Sequence, residues 1–246
     1  MQYAFGMSVP ETVTEMCRAG VVAVLVYDAQ IGILERVLDR DGLIGRIRSV
    51  LGAARTAGAP VLYVRHTSVP PERMGVAALR TAMARQKVAR PEEIRQEFPP
   101  EAAHTQIVPE LAPVADEPVF DKLGRSALIG TPVESVLHDW GITTVALVGA
   151  VLETGIEATA RHAADAGFLP LVVRDACGMR DAYAARRAES SLEYTGMCHR
   201  CESADLVATL GSRRRPPGGW ANHKPAASLP SRITLRWTSA AHTGDS

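Results

Sequence analysis

The sequence has no uninterrupted apolar run approaching the ~18 residues a membrane-spanning helix needs, so no membrane partner is expected. It also lacks net charge, with 27 Lys and Arg against 27 Asp and Glu. A balanced chain has no general attraction for nucleic acid, and none is expected as a partner. Cysteine is scarce: Cys17, Cys177, Cys198 and Cys201 are the four in 246 residues, too few for a disulfide framework at this length. The opening residues Met1-Gln-Tyr-Ala-Phe-Gly-Met7 have neither the basic stretch nor the apolar run of a secretory leader, which makes a cytoplasmic protein the expectation. Internal repeats are absent. So is a complete zinc pattern: Cys198-His-Arg-Cys201 supplies half of one, and no metal or other cofactor is expected.

What the chain does have is 46% hydrophobic residues, enough for one substantial α/β domain and an appendage. Short apolar, β-branched runs at 21–27, 60–64, 118–120, 144–148 and 169–173, with a sixth at 205–210, are continuous rather than alternating. Strands covered on both faces read this way. Helical spacing appears between them: 43–57 ends at Gly58, 132–140 follows Thr131 as N-cap and stops at Gly141, 156–166 stops at Gly167, and 181–194 is a further helix. The alternation predicts right-handed crossovers and a Rossmann-like, three-layer α/β/α fold around a mainly parallel six-stranded sheet. Residues 72–118 form a long proline-bearing insertion, helical near 76–88, of the kind that serves as a lid or an interface. From residue 212 on there are six basic residues and one acid in Ser-, Thr- and Pro-rich sequence. That stretch reads as a disordered basic tail, with no helix after the last strand. The expected organisation is therefore an N-terminal segment (1–20), one domain (21–211) and the tail (212–246).

Ligands of open parallel sheets bind outside the carboxyl ends of the strands. Asp28 follows the first run, Lys122 follows the third, and the turn 149–155 follows the fourth. A carboxylate, an ammonium and a helix N-terminus meeting in one crevice suit proton transfer and anion stabilisation. The same residue types also cap strands or pair for solubility.

Three blocks, Val24-Leu-Val-Tyr-Asp-Ala-Gln30, Phe120-Asp-Lys-Leu-Gly-Arg-Ser-Ala-Leu-Ile-Gly-Thr131 and 149–159, together resemble the signature segments of the isochorismatase-like cysteine hydrolases. Their order and spacing fit over about residues 20–210. The resemblance implies a Rossmann-like domain, a homodimer or homotetramer, and an Asp–Lys–Cys triad. Asp28 and Lys122 match its first two members, and Gly155 stands where the cysteine belongs. Glycine closes the thioester route. Isochorismatases proper, which also resemble this chain in having glycine there, cleave a vinyl ether by protonating carbon and capturing the cation with water. On that resemblance Asp28 is the acid and Lys122 its tuning or substrate-holding partner. A nearby ammonium lowers a carboxyl pKa, so burial or an anionic substrate must outweigh it.

The likeness is incomplete in the turn, where Val151-Leu152-Glu153 replaces an aromatic-Ala-His run. Val151, Leu152 and Glu153 are candidate substrate contacts, Glu153 alternatively pairing with Arg125 or another base. Gln30 and His66 are further candidate contacts, Gln30 alternatively bracing its loop. The Asp-x-His pattern of metal-dependent nicotinamidases is missing. Cys177 reads as a buried apolar residue, His162 as structural, and Glu157 as a surface acid at a helix start. Gly155 is expected to let substrate approach the helix amides. The leading expectation is a cysteine-independent hydrolase of a small anionic metabolite. A lyase or isomerase using the same Asp/Lys pair, or a non-catalytic ligand-binding relic, are the alternatives.

Overall fold

The computed structural model describes residues 1–17 and 21–212, and the expected tail beyond Ser212 lies outside the described residues. Two short strands, β1 (Gln2–Ala4) and β2 (Met7–Val9), pair as an antiparallel hairpin before the brief helix α1 (Val13–Met16). The chain then runs β3 (Val22–Tyr27), α2 (Ile31–Leu34), α3 (Arg40–Ala57), β4 (Val61–His66), α4 (Val76–Gln86) and β5 (Val119–Lys122). It continues through α5 (Val133–Asp139), β6 (Thr144–Ala150), α6 (Glu157–Asp165), β7 (Leu169–Gly178), α7 (Ala182–Thr195), β8 (His199–Cys201) and α8 (Ser203–Gly211).

Strands β3 to β8 form one sheet in the order β5-β4-β3-β6-β7-β8, every pairing parallel. All six residues of β3 and all seven of β6 are buried, because helices cover both faces. Val22, Val24 and Val26 pack with α3 and α8, using Leu43, Ile47, Leu51, Leu206 and Leu210. Their alternates Ala23, Leu25 and Tyr27 pack with α5, α6 and α7 through Leu137, Ile156, Ala160 and Leu192. The three-layer parallel fold expected from the sequence is thus observed.

The expectation for 205–210 is corrected. That run is the interior of α8, and the sixth strand is the shorter β8 inside the cysteine-bearing segment. Short apolar runs do not distinguish strand from helix by periodicity. The tertiary contact decides: Leu206 and Leu210, four apart, both face α3, and the side chains of Glu202 and Asp205 cap the helix start. A helix therefore does follow the last strand.

Strand order reverses between β3 and β6, the switch point at which an open parallel sheet leaves a crevice for ligands. The 72–118 insertion crosses this end of the sheet. It is tied down where Phe98 N–H donates to Ser68 Oγ (2.9 Å) and where Gln30 bridges Ile107.

Candidate active site

Asp28 is the first residue beyond β3 and adopts a left-handed φ of 44°, uncommon for a residue with a side chain. Its N–H still joins the sheet through Val64 O at 3.0 Å, so the strand holds the backbone while the side chain turns over the strand ends. Lys122 closes β5, two strands away, with β4 between. Two strand spacings amount to roughly 10 Å, and a lysine and an aspartate reaching toward each other span it. Lys122 Nζ donates to Asp28 Oδ2 at 2.9 Å and to Gly124 O at 3.3 Å. The ammonium lies 4.3 Å from the centroid of the Tyr27 ring.

This is a buried ion pair, with Asp28 6% and Lys122 3% exposed. Asp28 Oδ1 is buried and has no hydrogen-bond partner. Burial raises the Asp28 carboxyl to about 6, opposed by the charge and hydrogen bond of Lys122 and, more weakly, by the backbone amide of His66 and the charge of Arg180. Burial likewise pulls the Lys122 ammonium below its ordinary range, against the stabilising Asp28 carboxylate. Burial outweighs the ammonium, which is the condition an acid in this position must meet.

His66 ends β4 directly beside Lys122 in the sheet register. Its ring meets Phe98 of the insertion edge-on, centroids 5.4 Å apart. Burial first, then the charges of Lys122, Arg85 and Arg125, push the imidazole down to about 3, so it is neutral at physiological pH. Gln30 is fully buried, and its amide clasps the backbone. Oε1 accepts from His66 N (2.7 Å), and Nε2 donates to His66 O (2.8 Å) and Thr105 O (2.7 Å). Both amide donors are engaged, which makes Gln30 the brace between β3, β4 and the insertion.

The turn after β6 follows a cis peptide at Ala150-Val151 and forms a π-type turn over Leu152–Ile156. The amides of Thr154, Gly155 and Ile156 all point back to Val151 O, at 3.3, 3.1 and 3.2 Å. Leu152 is fully buried among Tyr27, Ile156 and Ala160, a packing position. Glu153 Oε1 accepts from the N–H groups of Arg180 (2.8 Å) and Asp181 (3.0 Å), at the start of α7. Its charge therefore faces a helix N-terminus and acts on the Arg180 guanidinium. Among the described residues it forms no salt bridge, with Arg125 or with any other base, and its Oε2 is buried without a partner.

Gly155 does not open the space that its missing side chain suggests. A Cβ built there overlaps the Tyr27 hydroxyl and the ring carbon bearing it, and comes within 2.5 Å of Tyr27 Cε1. The phenol fills the volume, hydrogen-bonded to Arg125 O. Gly149 is required for a related reason: at φ 122°, a Cβ there would lie 2.8 Å from Tyr27 N and from Tyr27 C. Sequence reasoning missed Tyr27, a residue immediately before Asp28 and far larger than its β3 neighbours.

Four guanidinium groups act on Asp28 or on its neighbours. Arg85 is bound to Glu97, whereas Arg36, Arg125 and Arg180 are exposed and form no salt bridge among the described residues. Arg180 acts on Asp28, Arg125 on His66 and Tyr27, and Arg36 on Arg180. Elsewhere, Cys177 is buried with its thiol on Leu147 O (3.3 Å), and burial raises it well above its ordinary range. His162 Nδ1 hydrogen-bonds Ser126 (2.9 Å), and Glu157 pairs with Arg161 (2.9 Å). A groove of about 580 Å³ runs along the outer side of β5, past Phe120, Pro113 and Ile107. Its two ionisable side chains, Arg65 and Asp121, bind each other at 2.7 Å.

Residues 22–200 match the model of the isochorismatase domain, and the chain belongs to that family. Among solved structures it is similar to a cysteine hydrolase from Pseudomonas syringae pv. phaseolicola 1448A, with TM-score 0.67 and 22% identity over 84% of this chain and 99% of that one. It is also similar to an isochorismatase from Pseudomonas putida KT2440, with TM-score 0.60 and 21% identity over 82% and 94% of the two chains. N-carbamoylsarcosine amidase from Thermoplasma acidophilum matches with TM-score 0.59 and 22% identity over 74% and 96%. At these identities the likeness establishes the fold. Among the described residues, no helix is long and apolar enough to cross a membrane.

Proposed function

We propose that this member of the isochorismatase family is a hydrolase that works without a cysteine nucleophile. It cleaves the C–O bond of a small anionic vinyl ether by acid catalysis from Asp28. The observation that carries the reading is the state of Asp28: buried, with Oδ2 held by Lys122, Oδ1 unpartnered and the carboxyl raised to about 6. A carboxyl at that value carries its proton in about a tenth of molecules at pH 7. An anionic substrate increases that share by discouraging the second negative charge.

In the reaction Asp28 Oδ1–H gives its proton to the terminal alkene carbon, leaving an oxocarbenium ion next to the new carboxylate. The Lys122 ammonium keeps that carboxylate oriented by donating to Oδ2. Water adds to the cation and returns a proton to Asp28, and the resulting hemiketal collapses to a carbonyl compound and an alcohol. Neutral His66 and the aromatic edge of Phe98 border the crevice without adding charge. The Glu153 carboxylate is bound by the amides at the start of α7, and Arg36, Arg125 and Arg180, which form no salt bridge among the described residues, supply the positive charge that favours an anion.

The test is turnover of a panel of carboxylated vinyl ethers, with product mass showing the addition of one water. Turnover that survives iodoacetamide but disappears in Asp28→Asn supports the reading. Turnover that iodoacetamide abolishes overturns it.

A further inference from the structure

The gap at position 155 is occupied by a residue 128 positions earlier in the chain, and the occupation is specific. Tyr27 is on the face of β3 that packs against α6, and it is 2% exposed. Its hydroxyl stands in the space a side chain at 155 would need and donates to Arg125 O. Its ring faces the Lys122 ammonium at 4.3 Å. One side chain therefore touches the third triad position, the second triad position and the loop between β5 and α5.

The surroundings leave neither group room to move aside. Tyr27 is flanked by Leu152, Ile156 and Ala160, all fully buried. Gly155 is pinned in its turn by N–H to Val151 O (3.1 Å) and by Thr159 Oγ1 donating to its carbonyl (2.7 Å). The same Thr159 Oγ1 accepts from Ala127 N (3.0 Å), joining α6 to the 124–128 loop that Tyr27 also holds. A Cβ at 155 would meet an aromatic ring fixed at both ends, not the free end of a flexible chain.

We propose that Tyr27 is the positioning residue that replaces the nucleophile of this site. Its phenol takes the thiol's volume, its ring seats Lys122 beside Asp28, and its hydroxyl fixes the loop carrying Arg125. Tyr27 and Gly155 are an interlocked pair, and the covalent route is closed by both residues together. Restoring a thiol at 155 alone cannot reopen it. This inference concerns the pair itself and does not depend on the acid mechanism proposed for Asp28.

The experiment is a double-mutant cycle read by melting temperature and by thiol chemistry, neither of which needs a substrate. Gly155→Ala is made in the natural background and in Tyr27→Leu. The expected result is a large fall in melting temperature, or failure to fold, in the natural background, and a much smaller fall in Tyr27→Leu. Gly155→Cys is made in the same two backgrounds and treated with iodoacetamide under native conditions, with the modified peptide identified by mass spectrometry. Where Gly155→Cys folds in both backgrounds, the thiol introduced beside Tyr27→Leu is expected to react at least tenfold faster than the one beside Tyr27. Folding of Gly155→Cys in Tyr27→Leu alone supports the proposal equally. Tyr27→Phe, which keeps the ring and loses the hydroxyl, should speed amide hydrogen exchange at 124–127 while leaving α3 unchanged. Equal costs of Gly155→Ala in both backgrounds, failure of both to fold, or equal thiol reactivity would each overturn the proposal.

Discussion

The two sides of the switch point are built from the same family segments but are in opposite states. On the β3 side, Asp28 and Lys122 form a buried pair with one carboxylate oxygen unsatisfied, a left-handed backbone at the acid and a neutral histidine alongside. On the β6 side, three turn amides fold back on Val151 O, Glu153 is bound to the start of α7, and the open place beside Gly155 is filled by Tyr27. One half keeps a buried ion pair with a free carboxylate oxygen, and the other has turned most of its polar groups to internal bonds, Glu153 Oε2 excepted. Burying an unpaired carboxylate oxygen costs about 1–3 kcal/mol. Glu153 Oε2 on the β6 side is also buried without a partner, so what sets the β3 side apart is the buried ion pair and the raised carboxyl of Asp28.

The largest effect that would break this comparison is loss of the acid. Asp28→Asn should lower kcat at least ~10³-fold, within the range attributed to general acid catalysis, in steady-state assays on a carboxylated vinyl ether. Undiminished kcat would move the chemistry to the other side of the crevice.

Removing the partner should come next. Lys122→Met leaves Asp28 buried without its counter-charge and should cost about 3 kcal/mol in urea denaturation. It should also move the fall of activity to higher pH, because the principal group lowering the Asp28 carboxyl is gone.

The pH dependence is itself a test. The acid must carry its proton, so kcat should decline roughly tenfold per unit well above pH 6. The linkage to stability has a definite sign. Burial raises the native Asp28 value above the ordinary ~3.9, so the folded protein binds the proton more tightly than the unfolded chain between about 4 and 6. That contribution to stability is present below pH 4 and is lost as the pH rises through 6. Thermal melts should show the slope in the natural protein and lose it in Asp28→Asn.

The smallest effect sharpens the contrast from the β6 side. Glu153→Gln weakens a charged contact with the start of α7 and should cost about 1 kcal/mol of stability, while activity stays within a few-fold. A collapse of kcat at constant melting temperature would give Glu153 a chemical role that its present bonds do not suggest.

Much of this was legible in the chain. The central strands announce themselves as continuous β-branched runs because both faces are covered. Asp28 and Lys122 stand out because ionisable residues directly follow such runs. Glycine at 155 is visible as an absence as soon as the surrounding blocks are compared with the family they resemble. The helix at 203–211 was misread as a strand because five apolar or small residues in a row fit either period. Gln30 and Glu153 were read as candidate ligand contacts because a polar residue near a strand end gives no sign of which backbone group will bind it.

The sequence by itself determined the parallel sheet, the family and the placing of a carboxylate and an ammonium at the carboxyl ends of two strands. Periodicity and local spacing encode those features within a few residues. Only the tertiary structure decided that the ammonium holds just one carboxylate oxygen, that burial prevails and lifts Asp28 to about 6, and that a tyrosine stands in the place of the missing thiol. The reason is reach. Lys122 meets Asp28 across 94 positions and Tyr27 meets Arg125 across 98, and such contacts exist only once the sheet has aligned the ends of its strands.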